Sequence, residues 1–316
     1  MATEAAEPVY GRLQDLAFDL VREAGALGGM LPARLAETVA PVVRLANARH
    51  SIRMDDDGVS EEVHLHVERR IDQGVPAHPA SAEFLRWVFR ELFYFEGLTG
   101  DLARFESVYT AVPGQFRQVV AVPASWHRLM QLRPFELGNA MVARLMAHAA
   151  LMRLEIASLW SVSRALARDL PRYRELIAAP GEPDDTGISG DRALMEFCRF
   201  FLAVASAEVR AMRALLEPAA LLGRVESYCA EERDAGRLPD GSFAVLREVM
   251  LRGELPRAHV ETVVPFRERK ARQISSALRE CGLLVADGVR APLRLAIPPA
   301  VAERWLPGLL EQERLA

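Results

Sequence analysis

Apolar residues recur at helical spacing along most of this chain, and that periodicity restricts the fold more than any other feature of the sequence. Strand-like alternation occurs only near the C-terminal end. The clearest predicted helices cover residues 9–26, 31–49, 81–96, 141–153 and 193–216. Glycine, proline and polar clusters interrupt the pattern at residues 28–29, 55–58, 74–79 and 180–190. The sequence therefore predicts a mainly α fold.

Composition and charge exclude several classes of protein. The 316 residues are 50% hydrophobic and 26% charged, as expected of a globular chain with room for two domains. A net charge of -4 gives no global attraction to nucleic acid, so any DNA contact has to be local. Cys198, Cys229 and Cys281 lack the spacing of disulfides or metal ligands, which favours a reducing cytoplasm. We expect no signal peptide and no membrane partner.

Residues 133–144 read RPFELGNAMVAR, and an apolar helical run begins within this segment, at Met141. This segment resembles the motif HPFx(D/E)GNGRxxR of the Fic (Fido) domain family. In that family the motif transfers AMP from ATP to a protein hydroxyl: its histidine is the base, its acid holds Mg²⁺, and its turn and arginines hold phosphates. The positions that match are Pro134, Phe135, Gly138, Asn139 and Arg144.

Four departures from the motif each remove a chemical capability. Arg133 replaces the histidine, and an arginine stays protonated, so it cannot accept a proton as a general base. Leu137 replaces the acid and offers no oxygen to Mg²⁺. Met141 replaces the first arginine, and Ala140 adds a Cβ where the motif has its second glycine. The sequence therefore predicts a protein without AMP transfer, bound metal or cofactor.

Part of the ligand-binding chemistry is nevertheless retained in the sequence. Gly138 and Asn139 open a helix, and free backbone N–H groups at a helix start can hold an anion. Arg144 adds a positive charge on the same helix. We predict an anion or ligand site at these three residues. Arg133, Asn139 and His127 are the candidates for any catalytic role, although His127 is equally consistent with a hydrogen-bonded structural residue.

The flanking segments extend the resemblance from about residue 32 to the C-terminus. Residues 158–168, Tyr173 and residues 195–202 resemble the helices that follow the motif in one bacterial Fic subgroup. Ser51 and Asp55 occupy the positions of an inhibitory SxxxE(G/N) segment, with Asp55 in place of the glutamate. The resemblance implies that Asp55 pairs with Arg144. A bridging water between the two groups, or two separated charges, is the alternative.

One family feature is missing from the sequence. In Fic proteins a flap hairpin follows a PGxxR stretch and pairs with the target peptide. Here residues 112–118 run directly into residues 119–130, which look like the helix before the motif. The flap is deleted, which leaves the predicted site open.

The C-terminal part follows a different pattern. Helical segments at residues 242–251, 257–263 and 266–281, followed by two short strands around a turn at Asp287-Gly288, predict a winged helix. Such a fold presents its third helix to DNA. That helix carries Arg267, Arg269, Lys270 and Arg272. Contact with protein is the alternative use of this helix.

His64 and His66 have a spacing found in metal sites. Without a third ligand, the HxH pattern is instead typical of solvent-facing histidines.

These observations predict three segments and leave two functions open. We expect an N-terminal helical region with the degenerate inhibitory segment at 1–110, a Fic-like core at 111–236 and a winged-helix domain at 237–316. The first function is a pseudoenzyme that serves as a ligand-binding or regulatory module. The second is a repurposed enzyme that acts on a small molecule in the opened pocket. A small-molecule or nucleotide-like ligand, DNA and a second copy of the chain are the candidate partners.

Overall fold

The computed structural model of the chain describes residues 3–55, 57–74, 77–98, 100–154, 159–179, 189–288 and 291–310. Nearly all of its regular structure is helical, which confirms the predicted mainly α class. The helices, numbered α1 to α15 in chain order, are Thr3–Gly28, Ala33–Met54, Glu61–Asp72, Ala82–Phe93, Ala103–Tyr109, Gln115–Leu132, Asn139–Arg153, Val162–Ala167, Leu170–Ala178, Ser189–Leu215, Pro218–Asp234, Ser242–Arg252, Val260–Val263, Glu268–Glu280 and Pro299–Trp305. Strands β1 to β3 are Glu254–Leu255, Leu284–Val285 and Leu293–Leu295.

The helix boundaries follow local chemistry. Ser60 and Ser81 cap α3 and α4, because each hydroxyl accepts a hydrogen bond from a backbone N–H three residues later. All five strongest helix predictions are confirmed, with shifts of a few residues at their ends. The predicted polar loop at 180–190 lies largely outside the described residues, and α10 already begins at Ser189. None of the described helices is long and apolar enough to cross a membrane.

The chain divides into two compact units, of which unit 1 comprises Met1–Ala26 and Arg44–Arg210. Helix α7 lies at the centre of this unit and packs against α3, α4, α6 and α8. Its residues are apolar on every side and almost all buried, as expected of a helix that is surrounded by other helices. The central position of α7 places its first turn, where the motif residues lie, against α4 and α6.

Helix α6 begins at Gln115, immediately after Gly114, whose positive φ of 79° turns the chain into the helix. The residues at which the flap hairpin would begin therefore form helix, as the sequence predicted. Pro123 lies inside α6 and is accommodated there.

Unit 2 comprises Leu27–Val43 and Ala211–Ala316. Its strands form an antiparallel sheet of order β1-β3-β2, in which Leu255 pairs with Leu293 and Leu284 with Leu295. Helix α12 packs against β1, β3, α13 and α14. The two strands predicted near the C-terminus are present, and β1 is a third strand that was not predicted from the sequence. A two-residue strand is too short to show an alternating pattern.

Candidate functional site

The site lies in the turn between α6 and α7. Arg133 ends α6 in the left-handed conformation with φ 44°, and Gly138 precedes α7 with φ 69°. Between them Phe135 forms an isolated antiparallel bridge with Leu98, and the N–H of Gly100 donates to the carbonyl oxygen of Pro134 at 3.2 Å. The segment that follows α4 is thus paired with the turn.

Asn139 closes this turn with its own side chain. Its Oδ1 accepts a hydrogen bond from the Phe135 N–H at 3.1 Å, and its Nδ2 donates to the Phe135 carbonyl oxygen at 2.8 Å. The residue is buried. Both ends of the amide are therefore engaged with the backbone, and Asn139 holds the shape of the turn.

Gly138 lies against the ring of Phe93, the last residue of α4. A Cβ added at Gly138 would fall well inside van der Waals contact with that ring, so only glycine fits here on grounds of both space and φ. Phe93 belongs to an aromatic cluster in which Phe89 stacks on Phe135, with ring centroids 4.6 Å apart. An aromatic side chain therefore covers the glycine that the sequence assigned to ligand binding.

Arg144, the last arginine of the motif segment, is buried and paired. Its Nε donates to the Ser51 hydroxyl at 2.8 Å, and its Nη2 donates to the Ser51 carbonyl oxygen at 3.1 Å. The same Nη2 lies 2.6 Å from Oδ2 of Asp55. No N–H group of Arg144 is aligned for a hydrogen bond to Oδ2 of Asp55. The contact between the two side chains is therefore an ion pair rather than an aligned hydrogen bond. The predicted pairing of Asp55 with Arg144 is confirmed, and it is direct.

A second layer of polar groups surrounds this arginine. Tyr173 is buried next to Arg144 and Trp126; burial raises the pKa of the Tyr173 hydroxyl, while the Arg144 charge opposes that rise. Nη1 of Arg144 has no hydrogen-bond partner among the described residues. The guanidinium thus lies in an enclosed environment made by Ser51, Asp55 and Tyr173.

The remaining catalytic candidates lie in different surroundings. Arg133 is exposed. His127 is buried, and its ring packs against Phe197 of α10 with centroids 5.5 Å apart. Burial, together with the nearby charge of Arg128, lowers the pKa of His127, so the imidazole is neutral near pH 7. Within the described residues no hydrogen bond connects His127 to Arg133 or Asn139.

The two histidines of the HxH pattern lie in different environments. His66 is 62% exposed, as expected, but His64 is fully buried, so the expectation of two solvent-facing side chains was wrong for His64. Residues two positions apart in a helix are separated by about 200° around its axis, so the rings of His64 and His66 lie on different sides of α3. In the part of the chain that the structure describes, no group of three or more His, Cys, Asp or Glu side chains is placed to hold a metal ion.

A buried polar network that joins α2, α3 and α7 was not predicted from the sequence. Nε2 of His148 lies 3.0 Å from Oδ1 of Asp72 and 4.0 Å from Oε1 of Glu68, and Arg44 pairs with Asp72 at 2.7 Å. Glu68 is buried and accepts a hydrogen bond from Asn47 at 3.1 Å. The signal in the sequence is the position of His148 in a mostly apolar stretch of α7, one turn after Arg144.

The cations predicted to contact DNA all lie at or near the start of α14. Arg267 is the residue before the helix, and Arg269 and Arg272 are exposed on it. Lys270 is half-buried, because its ammonium lies over the Phe266 ring, 3.9 Å from the centroid. The three arginines are exposed, and their contact with DNA stays a prediction.

No protein-family model and no curated protein matches this chain. Among solved structures, its mainly helical fold is similar to that of a Fic family protein from Desulfovibrio desulfuricans G20. The two are 12% identical with a TM-score of 0.47, and the match covers 89% of this chain and 96% of the other.

Proposed function

We propose that this chain is a degenerate Fic-domain protein that has lost AMP transfer and acts as a regulatory pseudoenzyme in the bacterial cytoplasm. The observation that carries the proposal is the state of Arg144. Its Nε and Nη2 are engaged by Ser51 and Asp55, and its side chain is only 1% exposed, so a phosphate has no access to it in this arrangement. The position that the motif uses to bind a nucleotide serves here to join the Ser51 segment to α7.

The replaced motif residues support the same conclusion. Arg133 and Leu137 are exposed, but neither can act as a base or bind Mg²⁺. Met141 is fully buried and packs into the core around α7. A position that carries a phosphate-binding arginine in the motif therefore contributes to stability in this chain.

The second function, a repurposed enzyme acting on a small molecule, is less well supported. It needs polar groups that face a ligand, and the candidates were Arg133, Asn139 and His127. Asn139 is hydrogen-bonded to the backbone at both ends of its amide, and His127 is buried against Phe197. Phe93 covers Gly138. Of these candidates Arg133 alone remains accessible, and a single exposed arginine does not make an enzyme site.

Incubation with labelled ATP and Mg²⁺ tests the loss of AMP transfer. We expect no label on the protein or on a cell lysate, and none with Arg133→His, because the metal ligand and the flap stay absent. Labelling by the wild type or by Arg133→His contradicts the proposal.

Mass spectrometry of the purified native protein separates the two functions. The pseudoenzyme predicts no stoichiometric small molecule that depends on Arg133. Arg117→Ala is the matched control for Arg133→Ala, since Arg117 is also exposed and has no ion pair among the described residues. A bound compound that is lost in Arg133→Ala and kept in Arg117→Ala would favour the repurposed enzyme.

A further inference from the structure

Helix α14 presents a continuous polar face to solvent. Ala271, Ile274 and Leu278 are buried and fix one side of the helix to unit 2. The opposite side is formed by residues that recur at intervals of three and four positions and are all exposed, namely Arg269, Arg272, Gln273, Ser276, Arg279 and Glu280. The face is thus a single stripe along the whole helix.

The charge of this stripe is strongly asymmetric. Residues 267–280 contain five cationic side chains and two carboxylates, although the whole chain has a net charge of -4. Both carboxylates have partners in the helix itself: Glu268 pairs with Arg272, and Glu280 accepts a hydrogen bond from Ser276 at 2.8 Å. No ion pair is found for Arg267, Arg269 or Arg279 within the described residues. Arg272 is therefore paired within the helix, whereas Arg269 and Arg279 keep positive charges that no described ion pair neutralises.

Sheet and helix packing hold α14 firmly. It contacts α12, α13 and β2, and β2 pairs with β3. Arg257 binds backbone between these two strands, because its Nε donates to the Ala291 carbonyl oxygen at 3.2 Å and its Nη2 to that of Gly288 at 3.3 Å. The helix and the hairpin beside it form one preorganised surface.

The dimensions and side chains of the stripe fit one kind of partner. A helix of this length extends about 20 Å, and the major groove of B-DNA, about 12 Å wide, admits a single helix. Arginine pairs with the O6 and N7 edge of guanine, and glutamine with the N6 and N7 edge of adenine. Arg269 and Gln273 are one turn apart on the exposed face, so both can reach base edges from the same helix.

We propose that α14 binds double-stranded DNA in the major groove, with Arg269 and Gln273 directed at base edges and Arg267 and Arg279 at phosphates. An exposed cation at each end of the helix matches the two phosphate backbones that border the groove. This inference does not depend on the inert Fic-like site, since the two rest on different residues.

Fluorescence anisotropy with a generic DNA duplex of about two helical turns tests the interaction, with the full chain as the binding protein. We expect affinity to fall steeply with salt, because phosphate contacts release counterions. On a duplex of the sequence enriched in the selection described below, Arg269→Ala should weaken binding about 5- to 100-fold. On the generic duplex, Arg279→Ala should reduce the slope of log affinity against log salt by about one. Arg210→Ala, at an exposed arginine of unit 1 that has no described ion pair, is the charge-matched control and should change neither value.

Selection from a randomised duplex pool tests the base contacts. The wild type should enrich a shared sequence, and Gln273→Ala should relax the preference at one position while it keeps its affinity for generic duplex. The four substituted positions are all exposed, namely Arg210, Arg269, Gln273 and Arg279. Thermal unfolding checks that each variant is folded. No binding at low salt, equal binding by Arg269→Ala, or equal affinity for RNA hairpins would overturn the proposal. Selective capture of a protein by α14 without DNA binding would overturn it as well.

Discussion

The ion pair of Asp55 with Arg144 should contribute measurably to the stability of unit 1, because one partner is almost completely enclosed. The Arg144 side chain is 1% exposed and that of Asp55 is 28% exposed. At an effective dielectric constant near 20, two unit charges about 4 Å apart attract by about 4 kcal/mol. Desolvation of the guanidinium and the partial exposure of the carboxylate offset part of that attraction, which leaves a coupling of about 1–3 kcal/mol.

A double-mutant cycle measures this coupling. Asp55→Asn should cost more than an ordinary surface substitution, since it leaves a buried guanidinium without its counter-charge. In Arg144→Gln the carboxylate can still reach water, but the bonds to Ser51 are lost. The interaction free energy comes from denaturant unfolding of the wild type, the two single variants and the double variant.

The exposed pair Arg172 and Glu175 is the control. Its side chains are 42% and 67% exposed, so its coupling should stay below about 0.5 kcal/mol and fall further with salt. The coupling of Asp55 with Arg144 should change little with salt. Additive effects of the two substitutions, or a coupling that salt abolishes, would refute the argument that burial makes this pair strong.

Two further predictions concern the buried parts of unit 1. Burial would lower the pKa of His148, but the hydrogen bond to Asp72 and the charges of Glu68 and Asp72 outweigh it and raise that pKa. The stabilisation that the protonated His148 contributes is therefore complete below about pH 6.5, and it is lost as the pH rises through the raised pKa of His148. Melting temperatures measured from pH 6 to 9 should consequently fall less for His148→Gln than for the wild type. Gly138→Ala should destabilise by about 2 kcal/mol or more, from its positive φ and the Phe93 ring, and Phe93→Ala should relieve the steric part. If Gly138→Ala cost the same with and without the Phe93→Ala substitution, that result would count against the contact.

Much of unit 1 could be predicted because its signals are local. The five strongest helices follow from apolar spacing alone, and the break after Met54 follows from the polar residues beyond it. The pairing of Asp55 with Arg144 was also predictable, but only through a family resemblance, since nothing in either local sequence points to the other. The buried position of His64 was not predictable, because its neighbour His66 shares the same local pattern and is exposed.

The sequence by itself determined the chemistry that two positions of the turn can offer: no packing lets Arg133 accept a proton or gives Leu137 an oxygen. It also determined the helical class, because periodicity is a property of neighbouring residues. Only the tertiary structure decided that the remaining groups of the turn face inward. Phe93 covers Gly138, and Ser51 with Asp55 engages Arg144, through contacts between segments distant in the chain. Such contacts depend on how the helices pack, and the pattern of residues along the sequence does not show which side chains pack against each other.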